Sequence, residues 1–165
     1  MTHAELVKIA EKWLLGTRKC SFAFTELVCL ATSEIPDAIG FRDGQSILVE
    51  CKTSRADFFS DAKKFFRQHS AQGMGTYRFF MCPRGIINVQ DLPLGWGLVE
   101  VSENGKPRQV WGHNPRSNIY SPESIFRHER NLQAEMGLMA SALRRLHLRG
   151  VLPLIYDNPF VNKSL

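Results

Sequence analysis

A chain of 165 residues, 44% hydrophobic and 22% charged, is long enough for one domain with a real core and too apolar for intrinsic disorder. The net charge of +5 and the pI near 9.2 suit a polyanionic partner without identifying one. With no apolar run of about eighteen residues and no signal-peptide layout in the first residues, a cytoplasmic protein is expected. Cys20, Cys29, Cys51 and Cys82 contain no Cys-x-x-Cys pair, so they read as buried free thiols rather than zinc ligands.

Residues 3–15 predict an amphipathic helix, with Leu6, Ile9, Ala10, Trp13 and Leu14 at helical spacing. Thr2 and Glu5 form a capping-box pair and Gly16 ends the helix. Glu5 therefore serves the helix terminus, the alternative being that it points into a site. Residues 21–30 predict the first strand, with a short helical portion as the alternative. On that strand Glu26 is the one carboxylate in an otherwise apolar run, so it either turns to solvent or meets a cation.

The stretch 35–52 contains Asp43-Gly44, a two-residue hairpin signal. If that pair makes the loop, positions summing to 87 face each other, and Asp37 and Glu50 are such a pair. Two carboxylates opposed on a ladder destabilise it unless a positive charge lies between them. Leu48, Glu50 and Lys52 share one face of their strand, so an amine projects beside the acids. The plainer alternative is that these charges mark only where a strand reaches water.

Ser54 followed by Asp57 starts a helix expected over about 55–70, with Phe58, Phe59, Ala62, Phe65 and Phe66 as its apolar stripe. Arg55 at its start can grip a phosphate or be a solvated first-turn residue; Lys63, Lys64 and Arg67 can bind nucleic acid or form a wet face. Strands are expected at Thr76–Cys82, Trp96–Val101 and Gln109–Val110–Trp111, the last two joined by an Asn104-Gly105 turn. A final helix is expected over about 122–149, capped by Ser121 and closed by Gly150. Its stripe of Ile125, Leu132, Met136, Met139, Leu143 and Leu146 packs on the domain, with a homodimer contact as the alternative. Residues 151–165 read as a tail, partly tied down by Leu152, Leu154, Ile155 and Phe160.

Pro36-Asp37, followed by Glu50-Cys51-Lys52 thirteen positions after Asp37, resembles the signature of the PD-(D/E)XK nuclease superfamily. The resemblance spans residues 4–101 in order of elements, but its specific part is Asp37, Glu50 and Lys52, with Glu26 as a fourth member. It implies an α/β fold with a restriction-endonuclease-like αβββαβ core and a mixed sheet flanked by helices, to which the long C-terminal helix expected over about 122–149 is added. Residues 1–112 would form that core and 113–165 a helical extension packed on it.

The chemistry then expected is phosphodiester hydrolysis. Asp37 and Glu50 offer hard oxygen ligands to Mg2+ or Mn2+, with the Cys51 backbone carbonyl as a third and Glu26 binding directly or through water. Lys52 would orient or deprotonate the attacking water and stabilise the transition state. The expected function is a metal-dependent DNA nuclease, an endonuclease of repair, recombination or phage and mobile-element biology, with RNA left open as a substrate. The alternatives are a nucleic-acid-binding module that keeps the fold without turnover, and a structural domain whose acids are solvated.

Overall fold

The structure, a computed structural model, describes residues 1–30, 32–119 and 124–157. The hairpin forms in the expected register: β1 (Phe22–Thr25) lies outside β2 (Ala38–Arg42), which pairs antiparallel with β3 (Gln45–Cys51), Ala38 facing Val49 and Arg42 facing Gln45. Asp43 (φ 51°) and Gly44 (φ 75°) both take the left-handed backbone that a two-residue hairpin loop requires. β3 pairs in parallel with β4 (Tyr77–Pro83), and β4 in parallel with β5 (Trp96–Val101). An antiparallel β6 (Pro107–Trp111) completes a six-stranded mixed sheet in sequential order. The chain is thus α/β, as expected.

One face of the sheet is covered by α1 (His3–Gly16), whose Leu6, Ala10 and Leu14 pack among Ile47, Val49 and Cys51 of β3. The capping box forms: the Thr2 N–H donates to Glu5 Oε2 at 2.7 Å and the Glu5 N–H to the Thr2 hydroxyl at 3.3 Å. A Cβ on Gly40 would lie 2.7 Å from Cys20 Sγ, so β2 approaches the exit of α1 as only glycine allows. The opposite face, from Leu48 and Phe80, packs against Phe58 of α2 (Arg55–Asp61) and Ala134 and Leu138 of α4 (Leu132–Leu148). Each large side chain buried in this way contributes roughly 1.5–3 kcal/mol. All four cysteines are buried and unpaired. Among the described residues no helix is long and apolar enough to cross a membrane.

The structure corrects several boundaries. β1 stops at Thr25 rather than reaching residue 30, because Glu26 turns into left-handed backbone at φ 47°. The helix expected over 55–70 is two pieces, α2 and α3 (Phe65–Gln68), and the break sets Lys64 and Arg67 against buried carboxylates. The last helix begins at Leu132, not 122, capped by Asn131 Oδ1 accepting from the Ala134 N–H at 2.9 Å. Ser121, Pro122, Phe160 and the side chains of Phe65 and Phe66 lie outside the described residues.

The apolar stripe of α4 does not pack on the domain either: Leu132, Met136, Leu143 and Leu146 are exposed, and Met139 is partly buried. The helix instead turns Ala134, Glu135 and Leu138 inward. Polar partners hold it that way, for Glu135 accepts hydrogen bonds from the Ser46 hydroxyl (2.5 Å), the Gly75 N–H (2.9 Å) and Arg130 Nη1 (2.7 Å).

Candidate functional site

Asp37 stands one step beyond the Ala38–Val49 pair, at the end of the ladder where β3 delivers Glu50 and then Lys52. Its Oδ2 accepts a hydrogen bond from the Cys51 N–H at 2.6 Å, which pins the carboxylate across the hairpin. Its Oδ1 lies 3.4 Å from His3 Nε2, and the same nitrogen lies 3.3 Å from Glu26 Oε1. One ligand atom from each of His3, Glu26 and Asp37 falls within 4.8 Å of the others. A single ion with bonds of roughly 2.2 Å spans such a set after shifts of a few tenths of an ångström, so these residues fit a divalent cation. Burial, reinforced by the nearby Glu50 charge, pushes Asp37 up to about 6, against the opposing pull of the Cys51 N–H, His3 and Lys52. The His3 and Glu26 side chains remain largely open, 42% and 57% exposed.

Glu50 sits in a different setting. Its side chain is buried, with Oε1 facing Arg67 at 3.0 Å and Oε2 lying 3.5 Å from both Lys52 and Lys64. Asp61 binds the same three cations, at 3.0 Å from Lys52, 2.7 Å from Lys64 and 2.5 Å from Arg67. Glu34 completes the group, 3.0 Å from Arg67 and accepting the Met74 N–H at 2.7 Å. With Asp57 at 4.0 Å from Lys52 on its more exposed side, four carboxylates meet three cations in one cluster. Burial alone would raise Asp61, but Arg67, Lys64 and Lys52 outweigh it and hold the carboxyl down to about 2. Glu34 is raised, since burial there exceeds what the Met74 N–H and Arg67 offset.

Asp37, Glu50 and Lys52 therefore meet at one end of the hairpin, and Glu26 joins Asp37. Cys51 keeps its thiol on the α1 side and lends its N–H to Asp37. The basic residues expected to face nucleic acid are distributed otherwise. Lys63 and Lys64 are both exposed, the Lys64 ammonium pairing with Glu50 and Asp61 from the surface, while Arg67 is engaged inward. Arg55 pairs with Asp91 at 2.7 Å and lies over the Phe59 ring at 4.9 Å.

Sequence reasoning missed His3 and Asp61, and set Glu34 aside because it precedes Pro36 in what reads as a loop. His3 had a usable signal, since it extends the buried stripe Leu6–Val7–Ala10–Trp13–Leu14 by one turn toward the hairpin. Asp61 also had one, sitting three residues after Phe58 on the buried side of α2. The closeness of Glu34 to Asp37 in sequence was visible, but its pairing with Arg67 was not, because Arg67 is remote in sequence.

No family model matches the chain, and no curated protein matches it. Among solved structures it is similar to the SPO1766 protein of unknown function from Silicibacter pomeroyi. That likeness has a TM-score of 0.56 at 19% identity and covers 98% of each chain, and it is a likeness of fold.

Proposed function

We propose that the protein is a metal-dependent, cytoplasmic DNA nuclease of the PD-(D/E)XK kind that its hairpin resembles, cutting phosphodiester bonds in repair, recombination or mobile-element processes. One observation carries the reading: Asp37 is anchored on the Cys51 N–H, so that it, Glu50 and Lys52 share one end of one hairpin. The order of elements from α1 to β4 also follows the αβββαβ core that the resemblance implies.

A divalent cation held by His3, Glu26 and Asp37 would neutralise charge on the phosphoryl oxygens and make a water nucleophilic at neutral pH. Lys52, held by Asp61 and Glu50, would donate a hydrogen bond toward a phosphoryl oxygen as negative charge grows there. The basic net charge favours the approach of a polyanion.

A second reading, a nucleic-acid-binding module without turnover, is favoured by the internal compensation of Glu50 and Lys52, which leaves both stably paired without any ion. Incubation with supercoiled plasmid, branched DNA and single-stranded DNA in Mg2+, Mn2+ or EDTA separates the two. The nuclease reading expects cleavage in a dication and none in EDTA, with Lys52→Ala slower by at least about a hundredfold. Binding without cleavage in either metal transfers the case to the second reading. Equal cleavage by Lys52→Ala and wild type removes the catalytic assignment.

A further inference from the structure

His3 changes what kind of ion the site would take. Magnesium is held almost wholly by oxygen donors and keeps several waters, whereas imidazole is a ligand of manganese and the later first-row dications. Here an imidazole nitrogen stands 3.3 Å and 3.4 Å from two carboxylate oxygens. The three donors arrive from separate places, at the first residue of α1, the residue after β1 and the residue before β2. α1 is held by its capping box and by a fully buried face, so His3 is presented by a rigid element rather than by a loop. Asp37 is committed through Oδ2 to the Cys51 N–H, which leaves Oδ1 as its free donor. Glu50 already faces three side-chain cations, and recruiting it to the same ion would require Lys64 or Arg67 to give way.

We propose that His3 Nε2, with Glu26 and Asp37, binds a divalent cation through a mixed nitrogen and oxygen donor set that prefers Mn2+, or a later first-row dication, to Mg2+. This deepens the nuclease reading and rests on it for the use to which the ion is put. The binding itself is open to measurement without DNA.

The test is a titration of the full chain with Mn2+ alone, followed by electron paramagnetic resonance, with pulsed measurement of nitrogen coupling and competition by Mg2+. The expected result is one Mn2+ per chain, coupled to an imidazole nitrogen and displaced by Mg2+ only at large excess. His3→Gln should abolish the coupling and weaken Mn2+ binding by at least about tenfold. Glu26→Gln should weaken binding while keeping the coupling, and thermal melts verify that both variants fold. Absence of Mn2+ binding, binding without nitrogen coupling, unchanged affinity in His3→Gln, or equal affinity for Mg2+ would each overturn the inference. In that last pair of outcomes His3 is only a ring lying between two acids, or a bystander to an oxygen-bound ion. Plasmid cleavage that persists in His3→Gln with Mg2+ would leave the nuclease reading standing while this inference fails.

Discussion

Asp37 and Glu50 occupy neighbouring places at the end of one hairpin, yet the chain treats them in opposite ways. Glu50 is enclosed by Lys52, Lys64 and Arg67, with no need of anything from outside. Asp37 has a backbone N–H and a half-exposed histidine, and burial, reinforced by the nearby Glu50 charge, raises its carboxyl against the pull of the Cys51 N–H, His3 and Lys52. A buried acid is stable when the fold supplies its counter-charge and strained when the fold withholds it. An external cation would therefore be accommodated on the Asp37 side, since Glu50 is already paired with Lys52, Lys64 and Arg67.

The most severe way to break this contrast is at Arg67. Arg67→Ala leaves Glu34, Glu50 and Asp61 short of one shared guanidinium and should cost about 4 kcal/mol in urea unfolding. A loss below about 1 kcal/mol would mean that the cluster is wet and adaptable rather than fixed.

The opposite sign is expected at Asp37. Folding raises its pKa from 3.8 to about 6, so above that pH the ionised carboxylate opposes folding, and the penalty fades as the pH falls toward 3.8. Asp37→Asn, measured in EDTA, should therefore stabilise the chain by about 2 kcal/mol near pH 8 and by little near pH 4. The smallest effects compare two adjacent lysines. Lys64→Ala should cost roughly 1 kcal/mol, because that side chain is partly exposed as it bridges Glu50 and Asp61. Lys63→Ala, on an exposed residue, should fall within about 0.5 kcal/mol of wild type.

Much of this arrangement was readable in the amino-acid sequence where a local rule determined it. Asp43-Gly44 can close a hairpin in few ways, and that loop alone set the register that brings Asp37 beside the Glu50 strand. The capping box of α1 was equally local. The start of α4 was not, since its buried face is organised around Glu135, which no hydrophobic pattern would turn inward. Nor was the charge cluster, in which Arg67 reaches Glu34 and Lys64 reaches Glu50. Basic residues on a helix read as a solvent face until their distant partners are known.

The Glu135 network has a consequence for synthesis. Arg130 donates to the Gly44 carbonyl at 2.5 Å and to the Ser46 hydroxyl at 2.9 Å, so the hairpin turn is clasped by a segment translated more than eighty positions later. As the chain emerges from the ribosome, the turn that aligns Asp37 and Glu50 is among the earliest features made and among the last to be fastened. A nascent chain halted before that arginine would carry the acids with their clasp still open.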